Sequence, residues 1–190
     1  GYTIPIVAYV NNDGNDAFNP TTELINNITI DRVYTGYLDL LKEARILPQS
    51  GTPTAYSTTP PAAAPGDVIQ YRITYRNISS TAPAGGQGNV LLPANTVVII
   101  ENGLGANAAT SSNDWALDQD GNGTIDTQNV TNTATASQGS IQFFNGNPAT
   151  AGSDLSGTTA ATDVTEYRNT VGTVSPGVTG TFTFQRRVTP

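Results

Sequence analysis

Oxygen-bearing side chains recur at short, regular intervals between residues 118 and 129, which makes this stretch the clearest candidate for chemistry. Its sequence, DQDGNGTIDTQN, has Asp or Asn at positions one, three and five, Gly at six, an apolar residue at eight and Asp at nine. This spacing is typical of calcium loops, because the glycine permits a sharp turn that directs hard oxygen ligands toward one cation. The predicted ligands are Asp118, Asp120, Asn122, the carbonyl oxygen of Thr124, Asp126 directly or through water, and Asn129.

The twelfth position of this loop departs from the usual pattern. Asn129 stands where calcium loops normally carry a glutamate, so a bidentate carboxylate is missing. We therefore expect calcium as a weakly bound cofactor, with an affinity on the order of the millimolar extracellular sites. The alternative is a turn that Asp and Asn side chains stabilise without a metal.

The N-terminus carries a second candidate for function, a short segment with apolar residues at alternate positions. Tyr2, Ile4, Ile6, Ala8 and Val10 share one face of an extended chain, which predicts an amphipathic strand. In one interpretation it is the first strand of its own sheet. In the other it is a subunit-linking strand, which adds to a sheet edge of a neighbouring copy and places alternate apolar residues in that neighbour's core.

Composition limits the chemistry that is open to the chain. It has no Cys, His or Met, which removes thiolate and imidazole chemistry, and most of its acids lie in turn-forming contexts. We therefore expect no enzymatic activity. The net charge of −7 opposes binding to nucleic acid and to anionic membranes, and no apolar run approaches the roughly 20 residues of a membrane span.

Secretion is the expected history of the chain. The sequence opens at Gly1 and has no Met, so we expect that a leader has been removed and that the mature chain is extracellular or at the cell surface. Glycans are possible partners, because Asn27, Asn77, Asn122 and Asn129 each begin an acceptor sequon. Chance competes with this interpretation in a chain rich in Asn and Thr.

The remaining periodicity is that of strands. Ile69, Tyr71, Ile73 and Tyr75 alternate with polar residues, and shorter runs of the same kind recur between turns rich in Gly, Pro and Asn. Residues 28–47 give conflicting signals, since alternation is followed by strong helix formers, and we interpret them as strand. The sequence thus predicts an all-β, antiparallel β-sandwich with an extended N-terminal strand arm.

Two stretches carry a resemblance to a known family. PGDVIQYRITYRN at residues 65–77 and SPGVTGTFTF at residues 175–184 resemble the hallmark strands of an immunoglobulin-like conserved repeat domain of prokaryotic surface and extracellular proteins. In combination with WALD at residues 115–118 and the Asp-rich loop, they resemble the versions found in cyanobacterial secreted proteins. That family has no assigned activity. The resemblance implies an Ig-like sandwich over residues 37–190, including the calcium-type loop 118–129, and leaves residues 1–36 as a strand arm and connector.

Three functions remain open at this point. The first is a structural subunit of an extracellular filament or surface matrix, a homopolymer in which the N-terminal strand is donated from copy to copy. The second is a single Ig-like repeat of a larger adhesin or surface-layer protein. The third is a carbohydrate-binding module in which Trp115 and the tyrosines line the binding face.

Overall fold

A computed structural model describes residues 2–9, 19, 21, 25–33, 37–79, 91–103, 126–145, 155 and 164–189. Over these residues the chain contains strands and no helix, and every strand pairing is antiparallel. The all-β prediction is therefore confirmed. The strands are β1 Tyr2–Tyr9, β2 Ile25–Val33, β3 Leu38–Leu47, β4 Val68–Asn77, β5 Ala94–Glu101, β6 Thr127–Asn129, β7 Thr135–Ala136, β8 Ser140–Phe144, β9 Glu166–Val174 and β10 Thr179–Val188.

The chain divides into two compact units. The first comprises Gly1–Tyr37 and Ser79–Leu92, and it contains β1 and β2. The second comprises Leu38–Ile78 and Pro93–Pro190, and it contains the other eight strands. The sequence predicted an arm over 1–36 and a domain over 37–190; it did not predict that Ser79–Leu92 groups with the N-terminal unit.

The second unit is built from two sheets. One has the strand order β3-β4-β10-β6, with β7 also paired to β10, and the other has the order β5-β9-β8. Tyr167 on β9 stacks on Phe184 on β10 with 4.3 Å between ring centroids, so the two sheets pack face to face. This is the arrangement of a β-sandwich.

The core follows from the alternation of side chains along the strands. Register aligns Ala44, Tyr71 and Phe184 across β3, β4 and β10, all with their side chains toward the other sheet. Burying an aromatic or large aliphatic side chain contributes about 1.5–3 kcal/mol. The fully buried apolar residues are Tyr75, Val164, Tyr167, Val174, Phe182 and Phe184.

The two hallmark stretches are joined to each other at the end of β4. The side-chain amide of Asn77 donates to the carbonyl of Val174 at 2.8 Å, while its main-chain N–H and C=O pair with Val178 and Gly177. The N–H of Val178 closes the turn on Ser175, and Gly177 has φ +76°, as a type II turn requires. Asn77 is fully buried, so this contact is part of the core.

Asp67 fixes the base of the long loop between β3 and β4. Its carboxylate accepts hydrogen bonds from the N–H of Gln49 at 3.1 Å and of Ala64 at 3.0 Å. Its own N–H donates to the carbonyl of Ala64, which closes the turn around Gly66. The Pro-Gly-Asp element therefore ties both ends of the loop to the start of β4.

Candidate functional site

The predicted subunit-linking strand is β1, and it pairs with β2. The register sets Tyr2 opposite Val33, Ile4 opposite Asp31, Ile6 opposite Thr29 and Ala8 opposite Asn27; Val10 lies outside the described residues. Among the strands that the structure describes, β1 has no second partner. One edge of β1 is therefore paired, and no described strand lies along the other.

This register distributes apolar positions over both faces of the β1–β2 ribbon. Ile4 and Ile6 lie on one face of the ribbon. Pro5 and Val7 lie on the other face, opposite Ile30 and Ile28 of β2. A two-stranded sheet is marginally stable alone in water. Apolar residues on both of its faces favour packing of other groups against each face. The composition of the ribbon therefore favours further packing partners.

The structure describes only two of the predicted calcium ligands, Asp126 and Asn129. Asp126 precedes β6, and its main-chain oxygen accepts a hydrogen bond from the N–H of Thr189. The side-chain oxygen of Asn129 points into the core, where it accepts a 2.7 Å hydrogen bond from the hydroxyl of Tyr167. A cation in this loop would therefore depend on the other five predicted residues, of which Asp118, Asp120, Asn122 and Thr124 lie outside the described residues. The described residues contain no cluster of three or more acids that could hold a metal.

β3 is an edge strand, and a loop covers only half of its outer edge. Ala44 exchanges two main-chain hydrogen bonds with Ser57, and Ile46 bonds to the N–H and hydroxyl of Thr54. These groups point away from β4, and alternation along the strand directs the N–H and C=O of Leu38, Leu40 and Lys42 the same way. Within the described ranges nothing bonds to the outward groups of these three residues, so the first half of the edge is open.

An ion pair joins the edge strands of the two sheets. The ammonium of Lys42, the only lysine of the chain, lies 2.6 Å from a carboxylate oxygen of Glu101 on β5. The other oxygen of Glu101 accepts a hydrogen bond from the N–H of Gly103. The Glu101 side chain is 9% exposed and the Lys42 side chain 44%, so the pair closes the seam between β3 and β5 at the surface.

A cleft of about 190 Å³ lies beside this seam. Its walls come from the middle of β3, from the loop that covers the β3 edge, and from a core aromatic ring. The cleft therefore begins where the open half of the edge ends. Its lining residues are Lys42, Glu43, Ala44, Ser57, Thr58, Pro60 and Tyr71.

The core also contains a buried charged side chain, the guanidinium of Arg186. Arg186 is 1% exposed and donates from Nε to the hydroxyl of Thr127 at 2.7 Å and from Nη2 to the carbonyl of Thr127 at 2.6 Å. Its Nη1 donates to the carbonyl of Val164 at 2.6 Å and to the hydroxyl of Tyr167 at 3.2 Å. These contacts connect β10, β6 and the segment that enters β9, so the guanidinium links the two sheets. In the sequence, alternation places Arg186 on the same face as Phe182 and Phe184. This is the one feature of the sequence that predicts its burial.

Burial also determines the ionisation of the groups around Arg186. Desolvation raises the pKa of Tyr167 and of Tyr71 to about 12 each, although the positive charge of Arg186 opposes both shifts. The same desolvation lowers the pKa of the Arg186 guanidinium. The hydroxyl of Tyr167 is therefore a neutral donor and acceptor at physiological pH.

We expect the free energy of unfolding to fall as pH rises from about 10 to about 12. A tyrosine that titrates near its ordinary pKa in the unfolded chain, and higher when folded, is stabilising below both values and loses that contribution through this window. The loss should be roughly 1 kcal/mol per buried tyrosine at the middle of the window. Urea unfolding at several alkaline pH values measures it, and Tyr71→Phe should reduce the slope.

Two of the four predicted glycan acceptors are buried. Asn77 is 0% exposed and Asn129 is 5% exposed, and the side chains of both are hydrogen bonded inside the core. A folded chain cannot present either amide to a modifying enzyme. Asn27 belongs to strand β2, and Asn122 is outside the described residues.

Most aromatic side chains of the described residues are packed in the core or against other side chains. Tyr71, Tyr75 and Tyr167 belong to the core, and the guanidinium groups of Arg72 and Arg45 lie 3.8 Å and 4.7 Å from the ring centroid of Tyr56. Stacking on sugars needs an aromatic face that water can reach. Trp115 lies outside the described residues.

Comparison with protein-family models, with curated proteins and with solved structures finds no match to this chain. The likeness to Ig-like surface repeats therefore rests on the two hallmark stretches alone. In the described residues no helix is long and apolar enough to cross a membrane.

Proposed function

We propose that the chain is a structural subunit of an extracellular filament or surface matrix, and that copies are linked through β1. In this proposal the sandwich is of the Ig-like kind, and the chain is a surface component with no catalytic role. The observation that carries the proposal is the β1–β2 ribbon, in which β1 has an unpaired edge among the described strands.

The residues of β1 support a linking role. Proteins normally protect an exposed strand edge with charges, a bulge or a covering segment. β1 is eight residues long, and its sequence, YTIPIVAY, contains no charged side chain. Pro5 removes one donor; the other seven residues keep their N–H groups, and alternate groups point away from β2. A strand with these properties is suited to pair with a second sheet edge.

Three described glutamates support a structural rather than a hydrolytic role. Glu43, Glu101 and Glu166 pair with Arg72, Lys42 and Arg168 at 2.8, 2.6 and 2.8 Å. Hydrolysis of a glycosidic bond needs two carboxyl groups that face one substrate, one of them as a proton donor. Carboxylates that neutralise neighbouring cations serve better to fix strands to one another.

Calcium has a mechanical role in this proposal. The last three residues of the predicted loop at 118–129 form β6, which pairs with β10, the strand that carries Arg186. A cation held by the carboxylates of the loop would restrain the entry to β6 and so stiffen one edge of the five-stranded sheet.

Electron microscopy of the purified chain, in calcium and after chelation, tests the proposal. We expect ordered filaments or sheets in calcium, because each copy offers both a donor strand and an acceptor edge, and head-to-tail contacts propagate from copy to copy unless the rotation between copies closes a ring. Chelation should shorten or loosen them, since the loop at 118–129 then loses its cation.

A chain that lacks residues 1–12 is the informative variant, and a chain with Thr3→Ser is its matched control. The truncated chain should stay monomeric while its sandwich melts at the same temperature as the full chain, and the control should assemble. Assembly of the truncated chain, or a full-length chain that is monomeric in every condition, contradicts the proposal. The second result would favour a single repeat of a larger surface protein.

A further inference from the structure

We propose that the open half of the β3 edge, Leu38 to Lys42, accepts β1 of a second copy of the chain. The donated strand would extend the five-stranded sheet beyond β3. This inference rests on the proposed function, and it adds the location of the acceptor.

The geometry of β3 suits strand addition better than the other edges of the second unit. β3 and β4 pair without a break over ten consecutive residues, so the outer groups of β3 form a regular ladder. β5, the other long edge strand, has two register shifts between Ala94 and Val98, and Thr96 has φ +54°. Such irregularities interrupt main-chain pairing and protect an edge. β6 and β8 are three and five residues long.

The side chains around the open edge match those of β1. Leu40 is 57% exposed and Leu41 is 44% exposed, and as neighbours in a strand they lie on opposite faces of the sheet. An added strand would cover both leucines if it had apolar residues on both of its faces. β1 has this pattern, with Ile4 and Ile6 on one face and Pro5 and Val7 on the other.

The cleft beside Lys42 gives the added strand a place for a side chain. It lies between β3 and the covering loop, at the point where the open half of the edge ends. Recognition by strand addition takes its affinity from main-chain hydrogen bonds and its register from pockets that hold alternate side chains. An apolar side chain of β1 that enters this cleft would fix the register of the donated strand.

Lys42 does not protect this edge in the usual way. A lysine on an edge strand normally opposes pairing, because its charge would be buried by an incoming chain. Here the ammonium is directed across the seam to Glu101, where the ion pair neutralises it. The main-chain groups of Leu38, Leu40 and Lys42 are thus left accessible beside a neutralised side chain.

A second copy is the occupant that these observations favour. The chain supplies an uncharged strand, β1, with one edge unpaired among the described strands, and a sheet edge with exposed leucines on both faces. Donor and acceptor surfaces on different parts of one chain give a heterologous contact, which propagates into an open filament unless the rotation between copies closes a ring.

Disulfide trapping tests the contact directly, because the chain has no cysteine of its own. A tagged chain with Leu40→Cys is mixed with an untagged chain that carries Ile4→Cys, Ile6→Cys or Ala8→Cys, and thiols are joined with diamide. We expect a mixed disulfide dimer for at least one of the three, because opposed residues of paired strands lie within disulfide reach. Val98→Cys, on the outer face of β5 and 44% exposed, is the matched control and should give none.

A proline on the open edge provides a second measurement. Leu40→Pro removes an N–H that points away from β4, so the ladder within the chain is retained, and Leu40→Ala keeps that N–H. Compared with Leu40→Ala, Leu40→Pro should raise the concentration needed for assembly by about tenfold or more. The reason is that the donated strand loses one main-chain hydrogen bond and the register that this bond helps to fix. If Leu40→Pro does not fold, the trapping experiment decides alone.

The outcomes separate this inference from the proposed function. Assembly that requires residues 1–12 but gives no disulfide to position 40, or a disulfide to position 98 instead, overturns the acceptor site and leaves the proposed function standing. If a chain carrying both Ile6→Cys and Leu40→Cys closes within itself at high dilution, the occupant is its own strand and the inference is wrong. A chain that never assembles overturns both.

Discussion

Replacement of Arg186 by Met should lower the free energy of unfolding by about 3 kcal/mol. The side chain fits in length, but the carbonyls of Val164 and Thr127 and the hydroxyls of Thr127 and Tyr167 lose the hydrogen bonds that the guanidinium donates to them. Each buried polar group left without a partner costs about 1–3 kcal/mol. The recovered desolvation of the cation offsets part of that cost but not all of it.

Arg186→Lys separates the charge from the geometry. An ammonium keeps the buried charge, yet it is a single nitrogen and cannot reach both carbonyls and the hydroxyl of Thr127 together. We therefore expect Arg186→Lys to lose at least as much stability as Arg186→Met. Urea unfolding followed by circular dichroism measures both, and Arg187→Lys, at the exposed next position, should change the value by less than about 0.5 kcal/mol. If the Arg186→Lys variant is as stable as the native chain, then the positive charge, and not the set of hydrogen bonds that the guanidinium donates, links the two sheets.

The strands of this fold could be predicted where alternation is long and regular. β4 and β10 follow directly from it, and the strand prediction also holds for β3, although Leu38 to Arg45 consist largely of helix formers. Pairing with β4 along the whole strand outweighs that propensity, since each intrinsic preference is a fraction of a kcal/mol. β6 and β7 cannot be predicted in this way, because strands of three and two residues are too short for a periodic signal.

The contacts that define the candidate sites could not be predicted from local sequence. Lys42 and Glu101 lie on strands of different sheets, and the cover of the β3 edge comes from Thr54 and Ser57, which show no strand pattern. The sequons at Asn77 and Asn129 are local motifs, so they carry no information on burial. The calcium-loop spacing placed Asn129 among the ligands, whereas its side chain is hydrogen bonded to Tyr167 in the core. Each of these facts depends on residues that are distant in sequence and close in space.

Gly180 should be one of the least replaceable residues of the fold. It pairs with Tyr75 across β10 and β4, and a Cβ at this position would overlap the ring and hydroxyl oxygen of Tyr75. The ring is fully buried and cannot move into water. Overpacking of this kind costs about 1–3 kcal/mol, and we expect Gly180→Ala to lie at the upper end of that range and Gly180→Val beyond it.

A double-mutant cycle with Tyr75→Leu tests the steric cause. Removal of the ring makes room for the new methyl group, so Gly180→Ala should cost at least about 1 kcal/mol less in the Tyr75→Leu background than in the native one. Gly172→Ala is the matched control, because Gly172 has φ +85° but no atom within 4 Å of the added Cβ. It should lose about 1 kcal/mol through backbone strain alone, with no dependence on Tyr75. Equal costs of Gly180→Ala in both backgrounds would show that backbone conformation, rather than the overlap with Tyr75, requires glycine at this point of the hallmark strand.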